Sequence, residues 1–339
     1  MKYYCGIDLH GNNNVISIID EKDHIMFEKR VPNELKEILF HLEGYRTDIE
    51  GIVVESTYNW YWLVDGLMDP GYTVHLANPA AIQQYDGLKF SDDKSDARWL
   101  AHMLRLGILP EGYIYPKADR PVRDLLRKRG QLVRYRVSNL LSINNLIARN
   151  QGFSVSGSRI QQLKEEDMEA LLEEEYLAIA ANTNLAVLRC VDEQIKKVEK
   201  AVRKKAKLRP EFRMLKSVPG IGDILALHIA LETGDIRRFP TVGNFSSYCR
   251  TVNSTRISNG KKKGEGNTKC GNKYLAWAFI EAANFAVRYN EQARKFYQRK
   301  SAKRKPVVAR KALANKLARA CYYIMRDSVP FDIERLFTT

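Results

Sequence analysis

Tyr3-Tyr4-Cys5-Gly6-Ile7-Asp8-Leu9-His10 is an apolar run that closes on an acid. Its length and composition predict a buried strand over Tyr3–Leu9, with Asp8 near its carboxyl end. His10-Gly11-Asn12-Asn13 is turn chemistry. Outward from there, Val15–Ile19 reads as a second strand, Glu21-Lys22-Asp23 as a turn and Ile25–Val31 as a third strand. Pro32-Asn33-Glu34 open a helix whose apolar face is Leu35, Ile38, Leu39 and Leu42. Gly51–Glu55 is a short buried-type strand, Tyr58–Met68 a helix, Tyr72–Leu76 a strand and Asp92–Leu106 a helix. The order β-β-β-α-β-α-β-α predicts one mixed sheet with helices on its faces.

In that topology strands one and four lie side by side in parallel, which brings Asp8 and Glu55 to one edge of the sheet. Asp93 and Asp96, three apart at a helix start, share a face. Four gathered acids repel one another, and a divalent cation relieves the repulsion; Mg²⁺ prefers oxygen ligands. Two such ions about 4 Å apart stabilise the attacking and leaving oxygens of a phosphodiester. This is a ribonuclease-H-like (RuvC-like) arrangement. A purely structural alternative makes Asp93 and Asp96 helix-start residues and Asp8 a turn residue. Asp92 beside Asp93 leaves the register open by one position.

Residues 119–208 read as helical. Leu126, Val133, Leu140 and Ile147 recur at seven, Gln151–Ser158 break the pattern, and Leu188, Val191, Ile195, Val198 and Val202 make a heptad seam. An antiparallel coiled-coil hairpin follows, either an oligomerisation arm or an ordinary bundle. Residues 209–325 form a mostly helical, basic unit, and 326–339 a tail; the first domain spans 1–118. The chain carries +15 overall. Between Lys196 and Arg319 stand 31 Lys and Arg against 8 Asp and Glu, and the remainder is net acidic. Such a stretch favours a polyanion through counterion release; a solvated basic surface or a membrane-facing patch is the alternative.

Within the basic unit, Val218-Pro219-Gly220-Ile221-Gly222-Asp223 resembles the helix-hairpin-helix element of DNA binders. It predicts Gly220 and Gly222 at a phosphate. Next comes a polar, glycine-rich stretch read as a flexible loop, Ser254 to Asn272, with Arg256, Lys261, Lys262, Lys263, Thr268 and Lys269 as phosphate contacts. A serine in such a loop can attack a phosphodiester beside stabilising cations; otherwise the loop grips phosphate. Five scattered cysteines, with no CxxC pair, indicate neither a zinc site nor a disulfide framework. No run of 18 apolar residues and no signal-peptide core appear, so a cytoplasmic protein without a membrane span is expected.

These motifs resemble those of the DEDD-type insertion-sequence transposases, relatives of the Piv DNA invertase that include bridge-RNA-guided recombinases. Gly6-Ile7-Asp8, Val54-Glu55-Ser56 and Asp93-Lys94-Ser95-Asp96-Ala97 are similar to the family's acidic motifs. Pro219-Gly220-Ile221-Gly222, Ile236-Arg237-Arg238-Phe239, and Thr268-Lys269 with Gly271-Asn272 are similar to its transposase domain. The position matching the family's serine is Ser258, followed here by Asn259 before Gly260, with Ile257 in place of a preceding serine, Cys270 where arginine is usual, and Ser254 as the alternative. The resemblance implies Mg²⁺ at Asp8, Glu55, Asp93 and Asp96 and a phosphoseryl–DNA intermediate at Ser258. It also implies DNA as substrate, a structured noncoding guide RNA as partner, and dimers or tetramers in which one protomer's serine completes another's acidic site. A metal-dependent nuclease acting on branched DNA, with no covalent intermediate, is the alternative.

Overall fold

The computed structural model describes residues 1–82, 92–206, 210–264 and 270–337. It divides into two compact units, Met1–Lys117 and Ala118–Thr339.

In the first unit the elements run β1 (Tyr3–Leu9), β2 (Asn13–Asp20), β3 (Ile25–Pro32), α1 (Leu35–Glu43), β4 (Ile49–Glu55), α2 (Tyr61–Met68), β5 (Val74–Ala77) and α3 (Asp93–Arg105). The strands form one sheet in the order β3-β2-β1-β4-β5. The β1–β2 and β2–β3 pairs are antiparallel hairpins, while β1–β4 and β4–β5 are parallel. β1 and β2 are buried almost end to end, and so is the latter half of β4, because helices cover both faces of the sheet. Cys5, Ile7, Leu9, Ile52 and Val54 pack under α1 and α2. On the opposite face Val53 and Ala77 pack against Leu100 and Met103 of α3.

Gly6 determines how closely α3 approaches. A Cβ there would lie 2.0 Å from the Ala97 carbonyl oxygen and 2.8 Å from the Ala101 nitrogen. The helix therefore rests its Ala97 and Ala101 backbone directly on β1, at the one strand position with no side chain.

The second unit begins with α4 (Arg120–Gln151), α5 (Gly157–Ile160), α6 (Glu165–Leu171) and α7 (Glu175–Ala206). Helices α4 and α7 run antiparallel, tied by Arg129–Glu199 at 2.8 Å and Arg136–Asp192 at 3.3 Å. Gly152, at φ 76°, ends α4 in a left-handed cap. Ile143, Ile147, Ala181, Leu185 and Leu188 fill one end of this hairpin around Ile160 and Met168. At the other end Leu126 and Val202 join a larger core. That core belongs to α8 (Pro210–Leu215), α9 (Asp223–Thr233), a 3₁₀ turn (Ile236–Arg238), α10 (Val242–Tyr248), α11 (Lys273–Tyr289), α12 (Glu291–Ser301), α13 (Pro306–Asp327) and α14 (Ile333–Phe337). A two-stranded hairpin, β6 (Arg256–Ser258) with β7 (Lys261–Gly264), projects between α10 and α11 in the sequence. Among the described residues no helix is long and apolar enough to cross a membrane.

A buried ionic knot joins α4, α9 and α11. Glu232, 1% exposed, accepts from Arg123 at 3.0 Å, from Arg127 at 2.6 and 2.8 Å and from Asn272 at 2.8 Å. The same Asn272 caps α11 by accepting from the backbone of Tyr274 and Leu275.

Candidate functional site

Side chains alternate across a strand, so the faces follow from the core. With Cys5, Ile7 and Leu9 directed toward α1 and α2, Gly6 and Asp8 face α3. On β4, Val53 faces α3, and Glu55 shares its side. Ile7 pairs with Val54 across the parallel ladder. Asp8 and Glu55 are thereby neighbours at the carboxyl end of the sheet, close enough that each perturbs the other's ionisation.

The start of α3 supplies the other two acids. Asp92 accepts from the Ser95 backbone at 2.8 Å, and Ser95 Oγ accepts from the Asp92 backbone at 2.9 Å. This capping box makes Asp92 the N-cap and settles the register, leaving Asp93 and Asp96 in the first turn. Glu55 and Asp96 line one small cavity with Trp99 and Leu100. Asp93 stands on the other side of Asp8, with His10 between them. His10 Nε2 lies 3.2 Å from Asp8 and 3.3 Å from Asp93.

Two half-buried carboxyls brought side by side resist ionising together. Burial pushes Asp8 above the usual carboxylate range. Glu55 is pushed up to about 7, by burial first and then by the hydrogen bond and charge of Asp8. Asp93 behaves oppositely: the Arg30 guanidinium donates to it and holds it below the usual range, with His10 adding to the effect.

The sequence pattern predicts four acids repelling one another, and the structure adds two basic side chains, Arg30 and His10, among them. Asp8 pairs with Val15, and Val15 with Arg30, in one transverse row of the sheet. The row presents an arginine on the acids' own face. Sequence patterning missed both Arg30 and His10. The signal was the register of two hairpins, which turn geometry specifies. Ligand atoms of Asp8, His10 and Asp93 lie within 4.8 Å of one another. A divalent cation fits this donor set, which is oxygen-rich and partly buried, with Glu55 and Asp96 close at hand.

In the second unit, Ser258 ends β6 and is exposed. Asn259 and Gly260, at φ 49° and 68°, make a two-residue turn with both residues left-handed, the geometry Asn-Gly favours between strands. The expected flexible loop is thus a short hairpin over Arg256–Gly264, because this dipeptide nucleates one. Ser258 pairs directly with Lys261, and Ile257 with Lys262. Lys261, Lys262 and Lys263 are exposed. Ser254 is half-buried before the hairpin. Thr268 and Lys269 lie outside the described residues, as does the Arg256 side chain.

The Pro219–Gly222 turn has a packing role of its own. A Cβ on Gly220 would lie 2.1 Å from the Ala282 carbonyl oxygen of α11, and φ there is 85°. Gly222 is the N-cap of α9 and touches nothing within 4 Å of its missing Cβ. Asp223, in the first turn, pairs with Lys216 at 2.7 Å and Arg203 at 3.5 Å. The turn borders a groove with Trp277, Phe285 and Tyr289.

Comparison with known proteins matches both units. Residues 5–149 fit a DEDD transposase model of IS110 type, described as a transposase. Residues 212–298 fit the model of the transposase IS116/IS110/IS902 family. A Coxiella burnetii protein named as the transposase for insertion sequence element IS1111A is 23% identical over 296 residues, covering 84% of this chain and 78% of that protein. A Pseudomonas aeruginosa protein named as a probable family 20 transposase is 26% identical over 284 residues, covering 78% and 80%. An acidic mixed-sheet unit and a basic helical unit, each matched to the same group and together more than half of the chain, place this chain in the IS116/IS110/IS902 family of transposases, enzymes of DNA transposition.

Proposed function

We propose that this transposase cuts and rejoins DNA with Asp8, Glu55, Asp93 and Asp96 holding Mg²⁺ and with Ser258 as the nucleophile. The observation that carries the reading is the meeting of acids at the end of the sheet: Asp8 beside Glu55 on neighbouring parallel strands, Asp96 lining a cavity with Glu55, and Asp93 within ligand distance of Asp8. Crowding several carboxylates into one partly buried place is costly in a structural role, and a bound cation relieves it. When bound, Mg²⁺ supplies charge for the phosphodiester oxygens.

The chain's own residues account for the remaining steps. Asp93 is held ionised by Arg30 and positioned by His10. Ser258 stands exposed opposite Lys261, and the lysines stabilise charge that develops on the phosphate. As the Ser258 Oγ–phosphorus bond forms, the hydroxyl loses its proton. The bond to the deoxyribose oxygen breaks, and that oxygen gains a proton. The phosphoseryl ester keeps the phosphodiester energy, so rejoining is the reverse attack and needs no nucleotide cofactor. Phosphate contacts come from the β6–β7 lysines, Arg256, Thr268 and Lys269, and from the backbone of Gly220 and Gly222. A structured guide RNA and a dimer or tetramer belong to the same proposal, supported by the basic second unit and its family.

The test is adduct formation on a DNA carrying the element's ends. Ser258→Ala abolishes the denaturation-resistant protein–DNA species while DNA binding persists; Asp8→Asn does the same through the acids. A full-strength adduct in Ser258→Ala moves the nucleophile elsewhere, with Ser254 next to be tested. Free hydrolysed ends with no adduct in the parent replace the covalent scheme altogether.

A further inference from the structure

The packed faces of α12 and α13 concentrate positive charge around one ring. Phe296 has Lys316 Nζ at 5.4 Å, Arg299 at 5.9 Å and Lys300 at 5.9 Å from its centroid. Arg319 stands one turn beyond Lys316 on α13. Among the described residues Arg299, Lys300 and Arg319 form no ion pair. Like charges this close repel, and Lys316 is accordingly held below its usual range, by burial first and then by Arg299, Arg319 and Lys300. A polyanion relieves such a cluster.

What lies on the cluster is the chain's own segment Val329–Phe337. Lys316 Nζ donates to the Leu336 carbonyl oxygen at 2.8 Å, and Phe337 packs on Phe296 at 6.1 Å. Phe331 and Leu336 touch the core. The segment leaves a cavity on either side. One, of 380 Å³, is lined by Lys316, Arg319 and Asp332. The other, of 440 Å³, is lined by Lys295, Arg299 and Glu334. Each cavity is thus lined by one carboxylate of the segment and by two cations. A packing strap needs only its aromatic anchors; this one also sets a main-chain oxygen on Lys316 and places two carboxylates on the walls of cavities lined by cations that a phosphate backbone would contact.

We infer that the α12–α13 cation cluster is a binding surface for nucleic-acid backbone, distinct from the β6–β7 hairpin, and that Val329–Phe337 is a displaceable cover competing with it. The inference rests on the proposed nucleic-acid role of the second unit. On binding, the segment lifts, Leu336 surrenders Lys316, and phosphates take the places of its carbonyl and carboxylate oxygens. Sequence-independent affinity is therefore held below what the charge of this unit allows, until something engages the segment.

The experiment measures binding of the full chain and its variants to a random-sequence duplex by fluorescence anisotropy across a salt series. Stopping the chain after Ser328 raises affinity about tenfold at low salt and steepens the log–log salt slope by about two, as two further phosphate contacts require. Asp332→Asn with Glu334→Gln keeps the aromatic anchors and gives a gain in the same direction of about threefold. That variant decides the matter if the shortened chain melts early. Adding Lys316→Gln and Arg319→Gln removes the gain in both backgrounds. Binding by both variants within the error of the parent, at the same slope, overturns the inference and makes the segment a packing element. A parent that fails to bind DNA at all counts instead against the proposed function.

Discussion

At the scale of single residues, the Asp8–Glu55 pair sets a pH dependence whose sign can be worked out. Glu55 titrates at about 7 in the folded chain against 4.5 as an ordinary glutamate. Between those values the folded state keeps a proton that the unfolded state has released. The contribution of this group to stability is therefore greatest below pH 4.5 and declines as the pH climbs to about 7, above which it is constant. The metal-free protein should show this decline in its melting temperature relative to Glu55→Gln, in which the slope over that window is smaller. A cation that displaces the Glu55 proton couples to the same group. The apparent Mg²⁺ affinity should increase by about tenfold per pH unit below 7 and level off above it, as release of one proton requires. Calorimetric titration at several pH values in two buffers of different ionisation enthalpy measures the proton count directly. A pH-independent affinity with no proton released would show that the pair is not where the ion binds. Arg30 contributes separately: Arg30→Ala leaves only His10 to hold Asp93 down, so Asp93 should protonate more readily and metal affinity should change chiefly at low pH.

At the scale of elements, what was legible in the sequence and what was not divide along physical lines. Strand and helix identities in the first unit follow from local patterning: Val15–Ile19 and Ile52–Val54 are apolar runs, and Leu35, Ile38, Leu39 and Leu42 repeat at helical spacing. The meeting of Asp8 with Glu55 follows from topology, because parallel neighbours end at the same edge. Arg30 was not legible, since its place beside Asp93 depends on the register of two hairpins rather than on any spacing along the chain. The Ser258 segment read as loop because glycine and lysine are abundant there, whereas the Asn259-Gly260 pair alone specifies a hairpin turn. Gly6 belongs to the Gly6-Ile7-Asp8 motif, and only packing explains it: α3 lies against its bare Cα. Gly6→Ala should force α3 off β1 and displace Asp93 and Asp96 from Asp8, a loss of about 1–3 kcal/mol as overpacking with metal affinity lost disproportionately. Val54→Ala, a neighbouring cavity mutation of similar cost in the core, should lower stability while leaving metal affinity near the parent value. If the two variants lost metal affinity equally for equal destabilisation, the glycine would have no positioning role. The Glu232 knot makes a second element-scale case. Glu232→Gln leaves Arg123 buried without its counter-charge, and a cost of about 3–5 kcal/mol is expected in chemical denaturation, with the α4–α9–α11 junction loosening first under hydrogen exchange.

At the scale of the whole molecule, charge is distributed by task. The acids that gather at the end of the sheet stand in a segment of the chain that is net negative, and the serine stands in one that is strongly positive. A single net charge of +15 hides this division, and it has a consequence for how binding and chemistry separate. Attraction to nucleic acid should come from the second unit's cations and depend steeply on salt, whereas a cation-bound carboxylate cluster contributes little to affinity and much to rate. Replacing Lys261, Lys262 and Lys263 together by Gln should therefore reduce the magnitude of the salt slope by roughly 2–3, since each lost phosphate contact lowers it by about 0.9, and weaken binding most at low salt. Asp8→Asn should leave the slope as it is while abolishing strand cleavage. Because Lys261 pairs directly with Ser258, the single substitution Lys261→Gln separates the two roles within one hairpin. It should cost about one unit of slope and also slow adduct formation at saturating DNA, while Lys263→Gln costs similar affinity without that loss of rate. Equal rates for the two variants at saturation would mean that the lysine opposite the serine only grips the backbone and takes no part in stabilising the phosphoryl transfer.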